Sequence, residues 1–159
     1  MLTTAQRSTL LAAIKADATA GPIRAAGNVP GLLAWCNAAK SPAVLAWAVA
    51  VQPQTSDEAA TYTAYDSIVA GKRDSWALFL GFPRDFSRNK VRAWIVDVWG
   101  SATAGSIAES ILNAGTENAS NAQVVLGGTS KTTGTVTATD RTFPGLVEYG
   151  ECEWFCQQA

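Results

Sequence analysis

Apolar residues along this chain recur mostly at intervals of three and four, the period of a helix buried on one side. The pattern is densest from Gly71 to Gly100, a stretch that holds three of the six tryptophans and half of the twelve basic residues. Val91, Trp94, Ile95 and Val98 fall at i, i+3, i+4 and i+7, which predicts a helix with Ser87 as its N-cap. Trp76, Phe79 and Leu80 repeat the spacing in an earlier helix, and Gly81-Phe82-Pro83 separates the two. The expected result is a helical hairpin with an aromatic inner seam. Lys72, Arg73 and Asp74 sit on the first turn of one arm, and Arg88, Lys90, Arg92 and Asp97 fall off the apolar face of the other. The tryptophans by themselves read as ordinary core.

The flanking stretches carry capping signals. Thr3 and Gln6 form a capping box that opens a helix running to about Asp17, with Leu10, Leu11 and Ile14 as its thin apolar stripe and Gly21-Pro22 as its stop. Asn28 followed by Pro30 opens the next, with Leu32, Leu33, Trp35 and Cys36 as its apolar positions. Ser41-Pro42 repeats the device and predicts a short helix with Leu45, Trp47, Ala48 and Val49. Gln52 to Thr55 reads as a loop, and Ser56-Asp57-Glu58 as a helix N-terminus. Asp66 is a turn or cap residue before the hairpin. Beyond it, Ser101 to Ala114 and Asn118 to Leu126 read as two further helices, the second stopped by Gly127-Gly128.

From Thr129 the character changes. Residues 129–142 contain seven threonines and almost nothing to bury, which predicts an extended segment, and Thr135 to Thr139 can add to the edge of a sheet in a neighbour. The end of the chain carries Leu146, Val147, Tyr149, Trp154 and Phe155. It reads either as the tip of a docking arm or as a helix folding back on its own core. Taken together these signals predict an all-α bundle of about six helices over residues 1–128, with an extended arm and docking segment over 129–159.

Composition narrows the chemistry. The 159 residues fit one domain that needs no metal or disulfide to fold, and only 16% of them are charged. So little charge suggests that other subunits cover part of the surface. Histidine is absent, which removes the commonest general base and most zinc sites, and the carboxylates form no paired acid/base constellation. The residues around Lys131 fail the phosphate-loop pattern, because Ser130 and Val125 stand where glycines are required. Cys36, Cys152 and Cys156 form no CxxC pair and read as free thiols. We therefore expect no catalytic site, metal or cofactor.

Net charge is −1, so bulk attraction to nucleic acid is not indicated. Locally, residues 72–92 hold six basic side chains against two acidic ones, whereas residues 140–153 hold Arg141 against four acids. The two patches either attract each other between copies or never meet. A basic hairpin bearing Trp76 and Phe86 is the one candidate for nucleic-acid contact. No apolar run reaches the roughly 20 residues of a membrane span, and the N-terminus lacks a signal peptide's basic start and apolar core. We expect a protein made and used in the cytoplasm.

The stretches LTTAQRSTLLAAIKAD, LLAWCNAAKSPAVLAWAVAV, YDSIVAGKRDSWALFLGF and NKVRAWIVDVWG, in this order, resemble a family of small helical virion proteins encoded in the structural gene clusters of tailed bacteriophages. The resemblance spans nearly the whole chain, and its most specific parts are Ser41-Pro42, Gly71-Lys72-Arg73 and Val91-Arg92-Ala93. The acidic, aromatic end from Glu148 to Cys156 departs from it. The resemblance implies a non-enzymatic head-to-tail adaptor in the virion, whose copies form a ring, twelve-fold in such phages, between the portal protein and tail or nozzle proteins. On that view Leu146, Trp154 and Phe155 are the expected partner anchors. Lys72, Arg73, Arg88 and Arg92 face either packaged DNA, as non-specific contacts in the ring's channel, or acidic neighbours. Another minor capsid or tail protein, such as a tail terminator, is the nearest alternative, and a small DNA-binding regulator a more distant one.

Overall fold

Thr3 and Gln6 start the first helix as their spacing predicts. In the computed structural model, which describes residues 1–127 and 145–158, Thr3 Oγ1 accepts the Gln6 amide and Gln6 Oε1 accepts the Thr3 amide. The elements that follow are α1 (Thr4–Ala16), α2 (Ala20–Ala25), α3 (Val29–Asn37), β1 (Leu45–Trp47), α4 (Pro53–Ala60), a 3-10 helix (Tyr62–Ser67), α5 (Arg73–Phe79) and α6 (Asn89–Trp99). After them come α7 (Ile107–Ala114), β2 (Thr116–Asn118), α8 (Asn121–Val125) and α9 (Tyr149–Gln157). The fold is all-α, with nine α-helices among the described residues rather than about six, and one short two-stranded sheet of β1 and β2. The threonine-rich arm expected over 129–144 lies outside the described residues.

The described residues divide into two compact units, one of residues 1–44, 118–127 and 145–158 and one of residues 45–117. The boundary drawn at residue 128 is not this one, because α9 belongs to the first unit. In that unit Leu10 and Ile14 of α1, Leu32 and Cys36 of α3, Ala122 of α8 and Cys152 and Phe155 of α9 are all fully buried in one core. Polar ties hold the closing segment. Asn37 Nδ2 donates to the Val147 carbonyl while the Val147 amide donates to Asn37 Oδ1, both at 2.9 Å. Gln123 Nε2 donates to the Gly145 carbonyl at 3.1 Å. Of the two expectations for the chain end, the helix folding back on its own core is the one observed for residues 147–157.

Gly21-Pro22 does not stop a helix but lies in the first turn of α2. There Pro22 lacks only an amide that would have no partner anyway, and Asp17 Oδ1 accepts the amides of Thr19 and Ala20 just before it. α3 begins as predicted, with Asn28 Oδ1 accepting the Gly31 amide at 3.0 Å. α8 is shorter than predicted, because Ser120 and Gln123 make a second capping box that sets its start.

The second unit departs more from expectation. Ser41-Pro42 leads not to a helix but to extended chain, with Leu45, Ala46 and Trp47 paired to β2 and the Ala48 amide donating to the Gly115 carbonyl at 3.0 Å. A short apolar run fits strand or helix equally, and pairing decides. α4 starts at Pro53, inside the expected loop, since proline at the first helical position costs no hydrogen bond. Its core gathers Trp47, Trp76, Phe79, Phe86, Ile95, Val98, Ile111 and Leu112. Phe86 rests on Gly115, where any β-carbon would overlap its ring. The buried face of α6 is Arg92, Ile95, Val98 and Trp99, with Val91 and Trp94 half-buried at its edge. The N-cap is Arg88 rather than Ser87, whose buried hydroxyl donates instead to Asp85.

Candidate functional site

The hairpin of α5 and α6 is organised by aromatic contacts. Trp76 and Phe79 stack with centroids 4.9 Å apart, Trp99 meets Trp76 edge-on at 5.2 Å, and Trp94 meets Phe79 edge-on at 5.3 Å. Arg84 closes the turn between the helices. Its guanidinium lies over the rings of Trp94, Phe79 and Phe82 at 4.9, 5.3 and 5.9 Å and donates to the carbonyls of Phe79 and Leu78 at the end of α5. Backbone hydrogen bonds of 2.9 Å in both directions between Arg84 and Val51 hold the same residue. The turn is therefore firm, yet Leu78 and Phe82 stay 61% and 64% exposed.

Beside α5 a cavity of about 350 Å³ opens, lined by Tyr65, Ile68, Trp76, Ala77 and Leu80, with Asp66, Arg73 and Asp74 as its charged residues. Trp76 Nε1 donates to the Tyr65 hydroxyl at 3.4 Å, and that hydroxyl donates to the Asp57 carboxylate. Burial first, then the bond to Asp57, pushes the Tyr65 phenol above its ordinary pKa, so it stays a donor. Such a wall offers apolar contact with acids at its edge.

The four basic residues expected to face DNA or neighbours are not equivalent. Lys72 Nζ pairs with Asp97 at 2.7 Å, Arg73 with Asp66 at 3.1 Å, and Arg88 with Asp85 at 3.3 Å. Arg92 is a correction: it is fully buried, donates to the Phe86 carbonyl at 2.5 Å and lies over the Trp47 ring at 5.0 Å. It cannot line a channel while the second unit is folded. The aromatic wall made by Trp47 supplies the partner that makes a buried guanidinium tolerable.

Phe155 is a correction of the same kind. It is fully buried in the first unit, and Trp154 beside it is half-buried under the Arg7 guanidinium, 5.5 Å from the ring. Among the three expected anchors Leu146 is exposed, at 65%, with Tyr149 nearby in sequence at 54%. The acidic tail is also partly satisfied within its own unit. Arg7 Nε donates to Glu151 at 2.7 Å, the Leu2 amide donates to the other carboxylate oxygen at 3.0 Å, and the N-terminal ammonium lies 3.8 Å from Glu148.

That pairing makes a pH prediction. The hydrogen bond from Arg7, opposed by burial, holds the Glu151 carboxyl below its ordinary range. A depressed folded pKa stabilises above the unfolded value, about 4.3, and the gain disappears as pH falls through the folded one. Glu151→Gln should therefore cost about 2 kcal/mol at pH 7 and progressively less below pH 4, as read by urea melts across that range. An equal cost at pH 7 and pH 2.5 would exclude the charge as the cause.

Cys36 and Cys152 are buried and free, and Cys156 is half-buried. The neighbouring Cys152 thiol, then burial, pushes the Cys36 thiol above its ordinary pKa. No group of three cysteine, aspartate or glutamate side chains among the described residues is placed to hold a metal ion. No helix among them is long and apolar enough to cross a membrane.

No family model, curated protein or solved structure matches this chain. Sequence reasoning missed Arg84 as the clasp of the turn and Asp66 and Asp97 as ion-pair partners. Asp97 carried no local signal, since its partner Lys72 is 25 residues away. For Arg84 a hint existed in its place between Phe82 and Phe86, where a long flat cation can lie on aromatic faces.

Proposed function

We propose that this chain is a structural subunit of a tailed-bacteriophage virion, a head-to-tail adaptor whose copies form a ring between the portal and the tail. The resemblance of its helical stretches to small phage virion proteins supplies the family, and one observation carries the mode of action. A firm turn presents Leu78 and Phe82 side by side to solvent, a placement that suits a chain packing against other chains. The role is adhesive and steric. Leu146 and Tyr149 offer a second exposed apolar pair in the other unit, suited to the portal or a tail protein.

Charge pairing favours this reading over a DNA-binding regulator. Neutralising phosphates takes uncommitted cations, whereas Lys72, Arg73 and Arg88 are each met by a carboxylate and Arg92 is in the core. Packaged DNA would then make only non-specific contacts with the ring.

Particles made without this protein test the proposal by electron microscopy. The adaptor reading expects tailless heads that have lost their DNA, and normally tailed, filled virions would overturn it. Filled heads with tails of abnormal length would point to a tail terminator instead.

A further inference from the structure

The turn at the end of α5 and the cavity beside α5 have complementary shapes and charges. Phe82, with Leu78 next to it, is an exposed apolar knob with the Arg84 guanidinium against its ring. The cavity is an apolar socket walled by Trp76, Ile68 and Leu80, with Asp66 and Asp74 on its rim. We propose that the Phe82 knob of one copy seats in the α5 socket of a second copy, with Arg84 brought to the acidic rim.

Three observations support a second copy as the occupant. At about 350 Å³ the cavity lies at the small end of the roughly 300–1,000 Å³ range of ligand pockets, which suits one or two side chains. Arg73 answers Asp66 at 3.1 Å, so the rim keeps one acid in excess, and the knob brings a cation. The knob cannot fill its own socket, because Arg84 stitches the turn to the carbonyls of Phe79 and Leu78 and holds Phe82 outward.

Knob and socket are different residues, so each copy can fill the next and leave its own socket for a third. A repeated head-to-tail contact of this kind builds a ring when the rotation from copy to copy closes, and an open filament when it does not. The inference rests on the self-assembling adaptor reading and assigns that assembly a surface.

Native mass spectrometry of Phe82→Ser and Ala77→Arg tests it. Both positions are exposed, and the arginine at 77 would fill the socket mouth beside Asp66 and Asp74. The wild-type chain of 16.6 kDa should associate, and each variant alone should self-associate roughly tenfold more weakly or not at all. An equimolar mixture should recover a species of two chains, since one variant keeps the knob and the other the socket. That recovery also shows that each variant is folded. Variants that assemble like wild type, or a mixture that stays monomeric, would overturn the contact. Loss of association in both variants with normal particle morphology in their presence would also overturn the contact as the assembly's surface, while leaving the adaptor role, which is read from particles, standing.

Discussion

Phe155→Ala is expected to lower the unfolding free energy by about 3–5 kcal/mol, the range for deleting a buried aromatic ring. The ring has no exposed surface, lies edge-on to Trp154 at 5.4 Å and shares a core with Leu10, Ile14, Leu32 and Cys152. Its removal leaves a cavity between α9 and the helices it packs on. Leu146→Ala, by contrast, should change stability by less than about 0.5 kcal/mol, since most of that side chain is already in solvent. Guanidinium melts followed by circular dichroism measure both. The pair also separates two roles for the chain end: if Phe155→Ala were neutral and only impaired particle assembly, the residue would be a partner anchor and α9 would leave the core. A small effect of both substitutions on stability is the result that contradicts the packing described here.

Arg92→Ala should also be damaging, costing about 2–5 kcal/mol, the range for truncating a large buried side chain to alanine. The substitution removes a fully buried side chain that fills space against Trp47 and leaves the Phe86 carbonyl without its donor. Arg92→Met keeps most of the volume and removes the charge, and should cost distinctly less, because a buried cation itself carries a desolvation penalty. Tryptophan fluorescence reports the difference. If Arg92→Ala is silent while weakening DNA retention in particles, the guanidinium faces the channel, as the position of the residue in a basic run first suggests.

These two residues show where reading along the chain stops. Arg92 lies one step from the Val91, Trp94, Ile95, Val98 stripe, and a stripe assigned by hydrophobicity alone puts a charged residue outside. The helix is in fact turned so that Arg92, Ile95, Val98 and Trp99 face inward, where the Phe86 carbonyl and the ring of Trp47, 45 residues earlier, receive the guanidinium. Local spacing places Trp47 itself in a helix. Its strand exists through pairing with Thr116–Asn118, another contact between distant residues. Ion pairs obeyed the same rule: Asp85 with Arg88 is three residues apart and local, whereas Asp97 with Lys72 and Glu151 with Arg7 join separate helices.

Helix starts were the most legible feature, because a cap is a contact among four consecutive residues. The Thr3 and Gln6 box, Asn28 with Pro30, and the break at residues 81–83 all needed nothing beyond their neighbours. The candidate knob was visible in the same way, as the Phe82 break between two helices, but its exposure depends on how Arg84 is held. The socket was invisible, since Tyr65, Ile68, Trp76 and Leu80 become a wall only when the 3-10 helix meets α5.

By itself the sequence determined that the chain is helical, where α1 and α3 begin, and that histidine-based chemistry is closed to it, because periodicity, capping and composition act over a few residues or none. Which residues share a core, which cations are already answered by carboxylates, and which aromatic rings are left facing solvent were decided by the tertiary structure. Those properties depend on partners brought together from up to 149 positions apart, as Leu2 and Glu151 are, and no local pattern encodes them.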